Sequence, residues 1–103
     1  MAVREVGVQQ LHAALAKGAT LVDVREQSEF DAGHVPGAVH VALSTVPDRV
    51  EELRGVGTAY LICRTGARSM RACEFLVDEG IAATNVVGGM VAWVDQGWPV
   101  VSV

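Results

Sequence analysis

The chain has 103 residues, half of them hydrophobic and 19 % charged, which fits one globular domain over residues 1–103 and excludes disorder. A formal net charge of −4 excludes a sequence-independent grip on nucleic acid, which needs a basic face. No apolar run is long enough to span a bilayer and "MAVREVGVQQ" lacks the parts of a secretory signal, so a cytoplasmic location is expected.

In chain order, "VQQLHAALAKG" (8–18) sets Val8, Leu11, His12, Ala14 and Leu15 at helical spacing, with Gly18 as a stop. "TLVDV" (20–24) is a short apolar run that reads as a buried strand, and "EQSEFDAGH" holds a brief helical turn ended by Gly33. "GAVHVAL" (37–43) is a second strand, and "STVPDRVEELRG" opens with the cap residues Ser44 and Thr45 and is helical until Gly55. "TAYLIC" (58–63) suits the centre of a sheet. "RSMRACEFLVDEG" places Met70, Cys73, Leu76 and Val77 on one helical face, with Gly80 as its cap. "TNVVGG" is a last strand and "MVAWVDQG" a last helix, stopped by Pro99. Short strands that alternate with helices and are almost wholly apolar imply an α/β domain of three layers. Its central sheet is mostly parallel, of about five strands, with helices on both faces. Ligands bind such sheets beyond the carboxyl ends of the strands, where Asp23, Arg25 and Cys63 fall.

The loop "CRTGARS" (63–69) concentrates the unusual chemistry. A strand end that runs straight into a helix start leaves several backbone N–H groups free, and the helix dipole adds partial positive charge there. Gly66 lets the backbone curl, and Arg64 and Arg68 add full charges. Either the arginines stabilise a thiolate or they await an anionic ligand beside it; both can hold. A thiol in this setting ionises below the free value of about 8.5, and the same cradle suits a sulfur- or phosphorus-centred oxyanion. A cysteine ending a core strand is also what a small buried hydrophobe looks like. The glycine, two arginines and serine just downstream favour a nucleophile in an anion-binding nest.

Four blocks occur together and in order: the "DVRE" strand end, the "GHVPGA" turn, the cysteine loop, and "GGMVAW" near the C-terminus. From about Val8 to Pro99 the sequence resembles a single-domain rhodanese, of the sulfurtransferase family. The resemblance implies a sulfane sulfur taken from an anionic donor such as thiosulfate and passed through a Cys63 persulfide to cyanide or another thiol. Arg64, Thr65, Gly66, Ala67 and Arg68 then match the substrate-binding loop, and Ser69 the hydroxyl that starts the next helix. Asp23 and Arg25 match a pair that braces the rim, with Arg68 expected to pair with an acid such as Asp23. Gly33, His34, Pro36 and Gly37 match a structural turn, and Gly88, Gly89 and Trp93 the segment closing the pocket's far side. No metal or organic cofactor is implied, and a protein acceptor of sulfur is among the partners allowed.

Two other functions fit parts of the pattern. Phosphatases and arsenate reductases of related architecture use a Cys-to-Arg loop one residue longer; here the four residues Arg64 to Ala67 separate Cys63 from Arg68, a smaller cradle. A sulfur-carrier or regulatory rhodanese-like module with little thiosulfate turnover is the other alternative. The two cysteines lack both C-x-x-C and zinc spacing and are expected as free thiols, with Cys73 in the core. His12, His34 and His40 share no helical face that would suit a metal, and His34 is expected to brace its turn.

Overall fold

In the computed structural model, which describes residues 2–103, five strands lie side by side in one sheet. They are β1 (Arg4–Val6), β2 (Thr20–Asp23), β3 (Val39–His40), β4 (Ala59–Ile62) and β5 (Ala83–Val86). Their order is β1-β5-β4-β2-β3, with every neighbouring pair parallel. Successive strand residues face opposite sides of a sheet. Leu21 and Ile62 accordingly enter one core, and Val22 and Leu61 a second core on the other face. Because both faces are covered, the central strands β2 and β4 read as largely apolar runs rather than as alternating patterns.

The helices α1 (Val8–Ala16) and α5 (Gly89–Asp95) cover the first face with Leu11 and Trp93. On the second face α3 (Val50–Leu53) and α4 (Ala67–Asp78) insert Leu53, Cys73 and Leu76. A further short helix, α2 (Gln27–Ala32), follows β2 and fully buries none of its residues. The three-layer α/β arrangement is the one expected.

Four local details differ. The expected strand over 37–43 pairs only at Val39–His40, because the chain turns into a 3₁₀ helix at Leu43–Arg49 before α3. That 3₁₀ segment also replaces the first turns of the helix expected over 44–54. Pro47 lies within it, and the Thr45 hydroxyl donates to the Ala42 carbonyl at 2.8 Å instead of capping a helix. The strand β1 went unread, since an edge strand of three residues with one buried side chain leaves almost no periodic signal. Finally, α4 ends at Asp78 with Glu79 as its cap, one residue before Gly80.

β4 has β2 on one side and β5 on the other. Its carboxyl end is therefore flanked by the segments that leave two other strands, and three loops converge there.

Candidate active site

Cys63 is the first residue after β4, and α4 begins four residues later with Gly66 at its cap. The loop bends back so that the sulfur lies under the helix start. Cys63 Sγ receives the Gly66 N–H at 3.1 Å and the Ser69 N–H at 3.4 Å, and lies 3.3 Å from Ser69 Oγ. The residue is only 1 % exposed.

The inward N–H groups have a cause on the opposite side of the loop. The carbonyls of Cys63, Arg64 and Thr65 accept N–H bonds from Met90 (2.9 Å), Val91 (3.1 Å) and Gly88 (3.2 Å). A trans peptide points its C=O and N–H in opposite directions. Fastening the Thr65 carbonyl outward therefore turns the Gly66 N–H inward, onto the sulfur. The first turn of α5 sets the loop's peptide planes in this way, and the approach is close. Gly89 has φ +52°, and a Cβ there would overlap the Cys63 carbonyl oxygen and come within 2.6 Å of the Arg64 oxygen.

Burial pushes the Cys63 thiol up, but hydrogen bonding more than reverses it. The Ser69 hydroxyl and the backbone N–H groups of Ser69, Gly66 and Thr65 hold the thiol below its ordinary value. The expected electrostatic source is thus corrected in part: amides and a hydroxyl lower the thiol, while Arg68 is engaged elsewhere. Arg68 does not pair with Asp23; its guanidinium grips Glu29 of α2 at 2.7 and 2.9 Å. Asp23 lies fully buried in a forked pair with Arg25, at 2.7 Å from Nη2 to Oδ2 and 3.0 Å from Nε to Oδ1. Arg25 Nη2 also donates to the Gly33 carbonyl at 2.7 Å, tying the end of β2 to the end of α2. Buried Cys73 is pushed up to about 12, chiefly by burial.

The Arg68 hydrogen bonds hold the Glu29 carboxyl down at about 2, against an ordinary value of 4.5. A carboxylate depressed in the folded state stabilises it above its unfolded value, and that contribution fades as pH falls through the folded value. Between about 4.5 and 2, wild type should therefore lose stability faster than Glu29→Gln. Denaturation midpoints across that range check this, and parallel acid limbs would contradict it.

Beside the loop opens a cavity of about 570 Å³, lined on one side by Arg25, Glu29 and Arg64. Met90, Val91, Val94 and Val100 supply apolar walls. Among the described residues, the Arg64 side chain has no ion pair or hydrogen bond. Gly88 and Gly89 lie against the loop, and the cavity wall is formed by the residues that follow them, Met90 and Val91. Trp93 instead sits in the core beneath α5, its indole N–H donating to the Pro99 carbonyl at 2.9 Å. His34 braces its turn: Nδ1–H donates to the Phe30 carbonyl at 2.7 Å, and its backbone bridges to Val101. Sequence reasoning missed Glu29, the valines and Asn85. Only Asn85 left a sign, as an amide beside Thr84 at the start of the strand stretch "TNVVGG".

A cysteine loop beyond a central parallel strand is common to several α/β classes, and the match to known sequences decides among them. Residues 7–96 match the rhodanese-like domain, and the chain belongs to that family. A sulfurtransferase of Allochromatium vinosum is 33 % identical over 103 residues, spanning 97 % of this chain and 96 % of that protein. The thiosulfate sulfurtransferase GlpE of Pseudomonas syringae pv. syringae is 30 % identical over 91 residues, covering 87 % of this chain and 86 % of its own length. The crystal structure of a rhodanese-like domain protein from Staphylococcus aureus has a TM-score of 0.87 at 32 % identity, covering 97 % of this chain and 100 % of that chain. Among the described residues, no helix is long and apolar enough to cross a membrane.

Proposed function

We propose that this chain is a thiosulfate-type sulfurtransferase that works through a Cys63 persulfide, as one domain over residues 1–103, in the cytoplasm and without a metal or organic cofactor. The observation that carries the proposal is the sulfur itself, held by the Gly66 and Ser69 N–H groups at 3.1 and 3.4 Å at the start of a helix. The Cys63 thiolate attacks the outer sulfur of thiosulfate, a new S–S bond forms, and the old one breaks. Sulfite leaves with the electron pair. The outer sulfur, now carrying the charge, is passed to cyanide or a thiol. Thr65, Gly66, Ala67 and Ser69 supply the cradle, and Asp23 with Arg25 supports its rim. Names borne by relatives, sulfurtransferase and thiosulfate sulfurtransferase, support the same reading.

Intact mass after incubation with thiosulfate tests it. One added sulfur, absent from Cys63→Ser and removed by cyanide, is the expected result; no addition at all would refute the mechanism. The exposed Val91, Val94 and Val100 beside the cavity favour a second reading, a carrier that loads sulfur but releases it only to a protein acceptor. It is distinguished by stoichiometric loading with poor turnover to cyanide.

Arg64 is the basic residue free to meet an anionic donor. A hydrogen bond to a charged group contributes about 1.5–3 kcal/mol, roughly ten- to hundredfold in binding. Arg64→Ala should raise the thiosulfate KM by about that factor, with a smaller effect on a neutral donor. Added salt should mimic the change by screening the donor's approach. Equal losses for charged and neutral donors would mean that Arg64 shapes the loop instead of reading charge.

A further inference from the structure

The Ser69 hydroxyl has one proton and two groups that compete for it. Ser69 Oγ lies 2.5 Å from Asn85 Oδ1 and 3.3 Å from Cys63 Sγ. Asn85 cannot exchange the ends of its amide. Its Nδ2 donates to the Glu5 carboxylate at 3.0 Å and to the Gly66 carbonyl at 3.2 Å, and both partners are acceptors only. The amide oxygen must therefore face Ser69. Both residues are buried, Ser69 at 0 % and Asn85 at 2 % exposure, so no abundant water stands ready to replace a lost partner.

While Cys63 holds its proton, every group is satisfied: S–H donates to Ser69 Oγ, and the hydroxyl donates to Asn85 Oδ1. Ionisation breaks this arrangement. When the thiol proton leaves to solvent, the sulfur needs donors. Ser69 can supply one only by turning away from Asn85, which leaves a buried oxygen without a partner.

We propose that Asn85, oriented by Glu5 and Gly66, is a positioning residue that draws the Ser69 proton away from the Cys63 sulfur, favouring the states of that sulfur that need no donor from Ser69. The inference rests on Cys63 being the sulfur-bearing thiol. One such state is the thiol; the other is the persulfide. On loading, the thiolate electron pair becomes the new S–S bond, sulfite departs with the pair of the broken one, and the negative charge moves to the outer sulfur. Cys63 Sγ is then divalent and neutral, and the Ser69 proton returns to Asn85. Asn85 thus opposes the bare thiolate and assists its loading.

The charged and titratable groups around the thiol belong to several elements. They are Arg64 in the loop, Arg68 with its partner Glu29, Cys73 on α4, Glu5 on β1 and the internally paired Asp23–Arg25. Of these, only Glu5 bonds to Asn85, and none bonds to the Ser69 side chain.

Titration of the Cys63 thiolate by its ultraviolet absorbance, in a Cys73→Ser background, tests the proposal. Asn85→Leu should lower the midpoint by about one pH unit, and Ser69→Ala should raise it by about one. In a Ser69→Ala background, Asn85→Leu should move it little, because the effect passes through the hydroxyl. Asn85→Val, better suited to a strand, serves where the leucine variant does not fold. At fixed thiosulfate and sulfite, well above the midpoint, the persulfide-to-thiolate ratio by intact mass should fall about tenfold in Asn85→Leu. A folded Asn85 variant with an unchanged or raised midpoint overturns the proposal, as does a shift that persists without Ser69. Equal loading of variant and wild type also overturns it, with sulfur transfer itself intact. Absence of added sulfur in every protein would instead refute the sulfurtransferase reading, and the titrations would still decide the role of Asn85.

Discussion

Replacing Cys63 by serine should abolish sulfur transfer, whereas Cys73→Ser should leave it nearly unchanged. The two thiols belong to one small domain, yet their surroundings drive them in opposite directions. Cys63 meets N–H donors from Gly66 and Ser69, which hold its thiol below the ordinary value. Cys73 is fully buried among Leu76, Leu61 and neighbouring apolar side chains, and its thiol is pushed up to about 12. At neutral pH it offers almost no thiolate, the form that attacks sulfur. A serine at position 63 would keep the shape but could neither ionise in this range nor hold a transferable sulfur. A thiosulfate-to-cyanide assay on both variants, with folding checked by circular dichroism, decides the matter. A well-folded Cys73→Ser as inactive as Cys63→Ser would remove the single-thiol mechanism.

Gly89→Ala should cut activity at least a hundredfold and destabilise the fold by about 3–5 kcal/mol. Two costs combine at this residue. Its φ of +52° lies in the left-handed region, and its missing Cβ is the space occupied by the Cys63 and Arg64 carbonyls. Those atoms are backbone and cannot swing aside as a side chain would. Room for a methyl group comes only by moving the loop off α5, which releases the carbonyls held by Met90 and Val91. The inward N–H groups lose their aim as a result. Chemical denaturation and steady-state kinetics on the same preparation would show both effects. An alanine variant with full activity would mean that the contact with α5 does not set the loop.

The layers of the fold were legible because β2 and β4 are buried on both faces and are largely apolar. The helices on either side announced themselves through spacing and through glycine stops. What escaped notice depends on contacts distant along the chain. β1 becomes a strand only by pairing with β5, whose residues lie some eighty positions away. The segment after β3 forms a 3₁₀ helix where its cap residues suggested an α-helix, since Thr45 spends its hydroxyl on Ala42. At the site, the local string "CRTGARS" displayed the thiol, the helix start and the serine together. The partner of Arg68 could not be read there, because Glu29 lies 39 residues earlier and reaches it only through the packing of α2. Asn85 and Glu5 escape for the same reason: pairing of β1 with β5 brings Glu5 to Asn85, and packing of α4 on β5 brings Asn85 to Ser69.

The loop is clasped from two sides by different helices. α4 contributes N–H groups that face the sulfur, while α5 grips the carbonyls on the loop's outer side. Water around a newly formed anion must reorient its dipoles, and that reorganisation adds to the barrier of any step that creates the charge. Here the peptide dipoles are fixed by the fold before a charge exists, and they cannot follow it when it moves. The peptide groups around Cys63 therefore act as a solvent already polarised in one direction, with its ordering completed during folding.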